Sequence, residues 1–367
     1  MWIGVPRESA PGERRVGLVP DSVARLVRSG VSVRVQRGAG VPAFCSDDAF
    51  ATAGAELVDD ARSILGTCDV VVKVQKPSLD EAAALREGSI LISLLPAATS
   101  TDVLECLTSR RVTVLALERV PRITRAQSMD ILSSQATVAG YKAVLIGAAA
   151  TSKLLPMLTT AAGSIPPAKA FVIGAGVAGL MAIATARRLG ATVSGFDIRA
   201  AAREQVLSLG ATFVGPDPSK DAEVAGGYAR AQTADEQAQT MAALAAHLRD
   251  QDLVITTAQI PGRSAPRLIT ADMVGTMRPG AVIVDLAAET GGNCELTVPG
   301  ETRDVNGVQV IGAVNVAASV PYHASVMFAK NVLTLLQHMI KDAAIPINLE
   351  DEIVGPMCLS HAGSARS

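Results

Sequence analysis

One stretch of this chain places a short apolar run, a glycine-rich turn and a helical pattern in direct succession. The run leads into Gly174, Gly176 and Gly179, and an Ala- and Leu-rich segment follows. Asp197 ends the next apolar run, close to the ~20-residue separation typical of dinucleotide-binding βαβ units. This order predicts a parallel strand, a tight turn and a helix whose N-terminus receives a pyrophosphate.

Each position of this motif has a physical reason. Gly174 permits the tight turn, Gly176 leaves room for the pyrophosphate, and Gly179 lets the helix pack closely on the strand. Asp197 suits hydrogen bonds to ribose hydroxyls and repels a 2′-phosphate, which favours NAD(H) over NADP(H). Arg199 leaves that choice open, because a guanidinium there could meet a phosphate. We also assign three neighbouring apolar residues to the nucleotide site: Val177, Ile198 and Ile260. In the alternative interpretation the glycines serve only the turn and the packing.

Length and composition favour two α/β domains. The chain has 367 residues, of which 49% are hydrophobic and only 3% aromatic, as expected for buried parallel strands. The formal net charge of −2 gives no electrostatic case for nucleic acid. Five cysteines are scattered without metal-ligand spacing, so we expect reduced thiols and no metal site.

Apolar runs alternate with helical patterns along most of the chain, which predicts two Rossmann-like doubly wound parallel-sheet domains joined by long helices. We predict an N-terminal domain over residues 1–133 completed by 330–358, a nucleotide-binding domain over 134–329 and a flexible tail over 359–367. The predicted strands are 2–5, 31–36, 70–74, 89–94, 112–117, 170–173, 192–196, 253–257, 281–286 and 308–312. The predicted helices are 20–29, 78–85, 134–155 and a run from 329 through 340.

No segment predicts a membrane span. The longest uncharged apolar run, 170–186, reaches only the lower edge of a spanning length, and the glycine motif inside it is better explained by a strand, a turn and a helix. The opening residues, Met-Trp-Ile-Gly-Val-Pro-Arg-Glu, lack the pattern of a signal peptide. We therefore expect a soluble, cytoplasmic protein.

A second candidate site is the polar stretch 122–134, which leads directly into an apolar helical run. Its words Arg-Ala-Gln-Ser-Met-Asp-Ile-Leu-Ser-Ser-Gln resemble the NAD(H)-binding alpha subunit, or domain I, of proton-translocating NAD(P) transhydrogenases, in the version split into three chains. The similarity extends over nearly the whole chain, through Gly-Val-Pro-Arg-Glu, Gly-Ala-Gly-Val-Ala-Gly-Leu, Gly-Phe-Asp-Ile-Arg, Ala-Gly-Gly-Tyr-Ala and Gly-Gly-Asn-Cys. Alanine dehydrogenases share parts of this pattern.

The resemblance implies roles for the polar stretch. Gln127 would lie between two nicotinamide rings and help to position them, while Arg122, Asp130 and Ser133 would hold the carboxamide and order the loop. The amide of Gln127 offers both a donor and an acceptor, as a carboxamide requires. Two further residues match a mobile loop that closes over bound nucleotide: Gly227 and Tyr228. In the alternative interpretation, Asp130 or Ser133 only caps the helix and Arg122 pairs with a surface acid.

The histidines separate the two related activities. An amino-acid dehydrogenase needs a general acid/base, usually His, and a cation for the substrate carboxylate. Arg15 and Lys73 resemble the cations of the alanine dehydrogenase site, but Leu95 stands where that family has its histidine. Direct hydride transfer between nicotinamides needs no proton-transfer group. A soluble alanine dehydrogenase-like enzyme would need another acid, for which Glu289 is the candidate.

The chain contains a single complete GxGxxG unit, so NADP(H) would bind to a partner subunit. The resemblance implies a separate membrane subunit that translocates protons, a homodimer, and a peripheral location at the inner face of the plasma membrane through the partner subunits. A non-catalytic NAD(H)-binding regulatory module is the remaining alternative.

Overall fold

The structure is a computed structural model that describes residues 1–216, 233–260 and 263–366, and the backbone of 223–224 and 228–229. The chain divides into two units. The first comprises Met1–Gln135 and Ala317–Ser367, and the second comprises Ala136–Val316. The boundaries predicted at 133/134 and 329/330 therefore differ from those of the structure, most at the second crossing.

The regular elements are numbered in chain order. The strands are β1 Trp2–Val5, β2 Ser32–Gln36, β3 Glu56–Val58, β4 Val70–Val72, β5 Ile90–Ser93, β6 Thr113–Ala116, β7 Leu158–Thr160, β8 Gly163–Ile165, β9 Lys169–Ile173, β10 Thr192–Phe196, β11 Thr212–Phe213, β12 Glu223–Val224, β13 Tyr228–Ala229, β14 Leu253–Thr256, β15 Val282–Asp285, β16 Thr302–Val305, β17 Val308–Gly312, β18 Cys358–His361 and β19 Ser364–Ala365. The α-helices are α1 Pro20–Arg28, α2 Asp47–Thr52, α3 Ala61–Leu65, α4 Leu79–Ala84, α5 Thr101–Ser109, α6 Ile131–Ala150, α7 Val177–Arg188, α8 Ala200–Ser208, α9 Ala234–Leu248, α10 Ala271–Gly275, α11 Pro321–Met339 and α12 Val354–Met357.

The first unit contains an eight-stranded sheet in the order β19-β18-β6-β5-β4-β1-β2-β3. Strands β1 to β6 pair in parallel, whereas β18 pairs antiparallel with β6 and with β19. The predicted flexible tail over 359–367 is corrected here, because the chain continues as β18 and β19. Leu359 and Ser360 are buried, so this strand is part of the first unit's core.

The second unit contains a seven-stranded sheet in the order β11-β10-β9-β14-β15-β17-β16, parallel except for β16. Side chains of β9 alternate between two apolar clusters. Val172 packs in one cluster with Ala182 of α7, and Phe171 packs in the other with Leu244 of α9. Both faces of the sheet are therefore covered, which explains why its strands are almost continuously apolar.

Two helices differ from their predicted bounds. The helix predicted at 134–155 is α6, which begins at Ile131 and ends at Ala150, before Pro156. The run predicted to start after Ala329 is α11, which begins at Pro321. Proline is well suited to a first helical position because the missing N–H would have no intrahelical partner there. In the part of the chain that the structure describes, no helix is both long and apolar enough to cross a bilayer.

Candidate nucleotide-binding site

The turn after β9 is built by glycines that each meet a different constraint. Gly174 has a φ of +95°, a left-handed conformation that favours glycine. A Cβ on Gly179 would lie 1.8 Å from the carbonyl oxygen of Gly174, so a side chain there would collide with the turn. A Cβ on Gly176 would meet nothing within 4 Å. Space for a ligand therefore lies at Gly176, while Gly174 and Gly179 are fixed by the fold.

The N-terminus of α7 is suited to an anion. Gly176 is its N-cap and supplies no capping side chain, and the first turn carries no acidic residue. The first N–H groups of a helix have no intrahelical partners and carry a partial positive charge. Val177, the first residue of the helix, keeps an exposed side chain. This end of α7 therefore offers phosphate-binding N–H groups beside an apolar contact.

Asp197 lies immediately after β10 and is buried. Its Oδ2 accepts a hydrogen bond from the N–H of Ala175, at 2.7 Å, within the glycine turn. Arg199 donates from its backbone N–H and its Nε to Oδ1, each at 2.9 Å, and from Nη2 to Oδ2 at 2.8 Å. The predicted carboxylate is therefore at the turn, and the predicted arginine is bound directly to it.

The loop after β14 is tied to the same turn. Thr257 donates its hydroxyl to the carbonyl oxygen of Gly174 at 2.9 Å. Asn293 accepts from the N–H of Ala258 and donates to its carbonyl oxygen, at 3.0 and 2.8 Å. The sequence analysis missed Asn293, which lies about 35 residues away and is fully buried. Ile260 is exposed at the end of the described part of this loop.

Asp285, at the end of β15, belongs to the interior of the fold. Its carboxylate accepts from three backbone N–H groups and from the hydroxyl of Thr297, and the residue is fully buried. Glu289 is exposed, and its carboxylate accepts from the N–H of Asn315. It is therefore positioned as a loop carboxylate.

The polar stretch of the first unit has a defined local structure. Residues Thr124–Met129 form a 3₁₀ helix, and Asp130 follows it. Asp130 caps α6, because Ser133 donates its N–H to Oδ1 at 2.9 Å and its hydroxyl to Oδ2 at 2.6 Å. Asn331 of α11 donates to the carbonyl oxygen of Ser128 at 2.7 Å. The stretch is therefore held at its end and in its middle.

Gln127 is exposed on this 3₁₀ helix, and its side-chain amide makes no hydrogen bond to any residue that the structure describes. Arg122 is also exposed. The candidate residues thus form two groups. Gln127, Asp130 and Ser133 are held together with Arg122 nearby in sequence in the first unit, and the glycine turn with Asp197 and Arg199 in the second. Gly227 and the side chain of Tyr228 lie outside the described residues.

A buried network of charges lies elsewhere in the first unit. Lys73 is fully buried and contacts Glu81 at 3.0 Å and Glu8 at 3.7 Å. Arg15 is bound to both carboxylate oxygens of Glu13, at 2.8 and 2.7 Å. A pocket of about 400 Å³ opens beside Arg15, Glu13 and Glu8. Both cations that the sequence analysis noted are therefore paired with acids that it did not connect to them.

The acids of this network differ in their protonation. Burial raises the pKa of Glu8 despite the charge of Lys73. Burial acts in the same direction on Glu13, but hydrogen bonds and charge from Arg15, together with Gln75, lower its pKa to about 2. Glu13 is therefore firmly ionised, whereas Glu8 is the acid that takes up a proton more readily.

Leu95 is fully buried after β5, and its N–H donates to the carboxylate of Glu118 at 3.0 Å. Burial raises the pKa of that carboxyl group despite this bond. A buried leucine cannot exchange a proton, so the position lacks acid/base function. Among the described residues there is no cluster of ligands suited to a metal ion.

Two family models together match nearly the whole chain. Those for the N-terminal and C-terminal domains of "Alanine dehydrogenase/PNT" match residues 4–139 and 143–367. The chain belongs to the alanine dehydrogenase/PNT family. The break between the two models lies close to the boundary at Gln135 between the units.

Within the alanine dehydrogenase/PNT family, the similarity to transhydrogenase subunits is high. The first of the polypeptides that make up the NAD(P) transhydrogenase alpha subunit of Rhodospirillum rubrum is 48% identical over 373 residues, which cover 99% of this chain and 97% of that protein. A crystal structure of transhydrogenase from Sinorhizobium meliloti is 43% identical, with a TM-score of 0.91 over 100% of both chains. An alanine dehydrogenase of Mycobacterium tuberculosis is 33% identical over 88% of this chain and 82% of that protein.

Proposed function

We propose that this chain binds NAD(H) on its second unit and acts as the NAD(H)-side subunit of a proton-translocating NAD(P) transhydrogenase. Hydride would pass directly between NAD(H) held here and NADP(H) held on a partner subunit. The observation that carries the proposal is Leu95, a fully buried apolar residue in a chain whose nucleotide-binding turn is intact. Hydride exchange between two nicotinamides requires no proton, so this position can be apolar.

The residues of the second unit would hold the dinucleotide. The N–H groups at the start of α7 would bind the pyrophosphate over Gly176, where a Cβ would meet nothing within 4 Å. Asp197 would bind the adenosine ribose, and Val177, Ile198 and Ile260 would add apolar contacts. Gly227 and Tyr228 would close over the nucleotide. NAD(H) supplies the nicotinamide ring that gives or receives hydride.

The residues of the first unit would orient the reacting ring. Gln127 has an exposed amide with no partner among the described residues, so it is available to bind a carboxamide. Asp130 and Ser133 would fix its segment at the start of α6, and Arg122 would contribute to holding the carboxamide. Positioning of two rings at roughly 3–3.5 Å with water excluded supplies most of the rate in a reaction of this kind.

The partners follow from the same proposal. The R. rubrum relative is named as one portion of an alpha subunit, which supports a complex of several chains. We infer that a separate subunit binds NADP(H), that a membrane subunit couples hydride transfer to proton translocation, and that this chain forms a homodimer. Its location would then be cytoplasmic and peripheral, at the inner face of the plasma membrane.

Reconstitution tests this proposal. Membranes of the source cell are stripped of peripheral proteins, and hydride transfer from NADPH to an NAD⁺ analogue is followed by absorbance with and without the purified chain. We expect activity only when the chain is added. No activity, with NADH binding and the membrane partners verified, would favour an NAD(H)-binding regulatory module instead.

One observation favours an alanine dehydrogenase-like activity as the second candidate. Arg15 and Lys73 are both retained and buried in the first unit, as a carboxylate-binding site would require. Each is already paired with an acid, however, and Leu95 removes the proton-transfer group. Reduction of NAD⁺ by L-alanine would establish this second candidate. We expect none.

A further inference from the structure

The carboxylate of Asp197 is saturated with hydrogen bonds. Oδ1 accepts from the backbone N–H and the Nε of Arg199, and Oδ2 accepts from the N–H of Ala175 and the Nη2 of Arg199. A carboxylate offers about four lone-pair positions. All four are therefore used within the second unit, and none remains for the two hydroxyls of a ribose.

The four donors are not equally able to leave. The N–H of Ala175 is part of the glycine turn, and the N–H of Arg199 is fixed at the start of α8. The guanidinium of Arg199 is carried on a flexible stem, and its side chain is 21% exposed, so it has a route to water. The two bonds from this guanidinium are the ones that a ribose diol can replace.

We propose that Arg199 is a residue that sets nucleotide specificity by occupying the ribose-diol position on Asp197 and giving it up when NAD(H) binds. This inference rests on the proposed NAD(H) site. Binding of NAD(H) must break two charge-assisted hydrogen bonds, so Arg199 weakens its affinity. The pair thus makes the site less tight for NAD(H) than an aspartate without a competing arginine.

The same arginine acts in the opposite direction on a 2′-phosphorylated nucleotide. A bare carboxylate repels a 2′-phosphate, but Arg199 neutralises Asp197 while the two are paired at 2.8 Å. Once displaced, its guanidinium stays within reach of the ribose, because it is only two residues from Asp197. Arginine binds phosphate well through paired N–H donors. Arg199 therefore reduces the discrimination between NADH and NADPH.

The experiment measures dissociation constants of the full chain for NADH and NADPH, by calorimetric titration, in the wild type and in Arg199→Met. Methionine keeps much of the apolar stem and removes the charge. We expect NADH to bind about three- to tenfold more tightly, since exposed to half-buried ion pairs contribute modestly, and NADPH to bind more weakly. The ratio of the two constants then rises.

Two further variants make the result specific. Arg199→Lys keeps the charge but loses the two-point contact, so its ratio should lie between those of the wild type and Arg199→Met. Arg188→Met removes an exposed arginine from the last turn of α7, at the end of the helix opposite the glycine turn, and should leave both constants unchanged. Thermal melting verifies that each variant is folded.

The outcomes separate this inference from the proposed function. Weaker NADH binding in Arg199→Met and Arg199→Lys would overturn it, because Arg199 would then hold Asp197 in place for the ribose. An unchanged NADPH/NADH ratio in both variants would overturn it as well, while NADH binding by the wild type would leave the proposed function standing. Absence of NADH binding in the folded wild type would remove the site itself, and this inference with it.

Discussion

Ser133 donates both its backbone N–H and its hydroxyl to the carboxylate of Asp130, at 2.9 and 2.6 Å. Asp130 is thereby the cap of α6 and also the residue that ends the 3₁₀ helix carrying Gln127. The two interpretations that the sequence left open for Asp130, a helix cap and a residue that orders the site, are thus compatible in one side chain.

Substitution of Asp130 can separate these two roles. Asp130→Ala should lower the free energy of unfolding by roughly 1 kcal/mol, since it removes a cap, and should also slow hydride transfer. Asp130→Ser should restore stability, because serine caps equally well, but not the rate, because it lacks the carboxylate. Denaturant unfolding and the reconstituted assay measure the two quantities. The control is Asp60→Ala, which removes the cap of α3 in the same unit and should affect only stability. A wild-type rate in Asp130→Ser would limit Asp130 to the capping role.

Gln127→Asn should slow hydride transfer by about a hundredfold, because a shift of about 1 Å in a positioning group can have that effect. The NADH dissociation constant should change little, since the pyrophosphate and ribose contacts belong to other residues. Single-turnover absorbance measurements with saturating nucleotide report the rate. Ser128→Ala is the matched control, because Ser128 contributes its backbone carbonyl oxygen to the contact with Asn331. Weakened binding with an unchanged rate at saturation would contradict the role of Gln127 in positioning.

Two alanine substitutions in the glycine turn should have opposite effects. Gly179→Ala should destabilise the chain, because its Cβ would lie 1.8 Å from the carbonyl oxygen of Gly174. Gly176→Ala should leave the melting temperature unchanged, since its Cβ meets nothing within 4 Å, but should weaken NADH binding at least tenfold by filling the space of the pyrophosphate. Calorimetry measures both quantities. NADH affinity equal to that of the wild type in Gly176→Ala would place the phosphates elsewhere.

The buried acids of the first unit predict a pH dependence of stability. The pKa of Glu13 is lowered to about 2 in the folded chain from an ordinary 4.5. Its contribution to stability is therefore fully present above pH ~4.5 and is lost as the pH falls toward 2. Glu13→Gln should destabilise the protein at pH 7, and this loss should shrink below pH ~4.5.

Glu8 supplies the contrast, because its pKa is raised by burial in spite of Lys73. Its contribution is present below its unfolded pKa and is lost as the pH rises through the folded value. Glu8→Gln should therefore cost much less stability at neutral pH than Glu13→Gln. Melting curves of the wild type and both variants, recorded from about pH 3 to about pH 7, provide the measurement. Equal losses at every pH would show that the two acids do not differ in protonation.

Much of the fold is encoded locally and could be predicted. Strands β1, β10 and β17 have the bounds expected from their apolar runs, because buried parallel strands leave a continuous apolar signal. The strand β18 left no such signal. Its sequence, Cys-Leu-Ser-His, mixes polar and apolar residues, and the burial of Ser360 depends on a hydrogen bond to the carbonyl oxygen of Val112, far away in sequence.

The site shows the same division. The glycine turn and Asp197 follow a local order of residues, so the sequence places them together. The pairing of Lys73 with Glu8 and Glu81 joins residues that no short motif connects, and Asn293 reaches the loop of Ala258 across a similar distance. The bond between Arg199 and Asp197 is short in sequence, yet its consequence depends on counting the donors around one carboxylate, which requires coordinates.

The interrupted first unit has a consequence for the order in which the protein can be assembled during synthesis. Residues 136–316, which form the second unit, leave the ribosome before Ala317–Ser367. Strand β6 is paired on one side by β5 and on the other by β18, so one of its edges stays unsatisfied while the whole second unit is made. Nascent chains therefore carry a folded nucleotide-binding unit together with an incomplete sheet that has an open edge, a state that is prone to association with other strands.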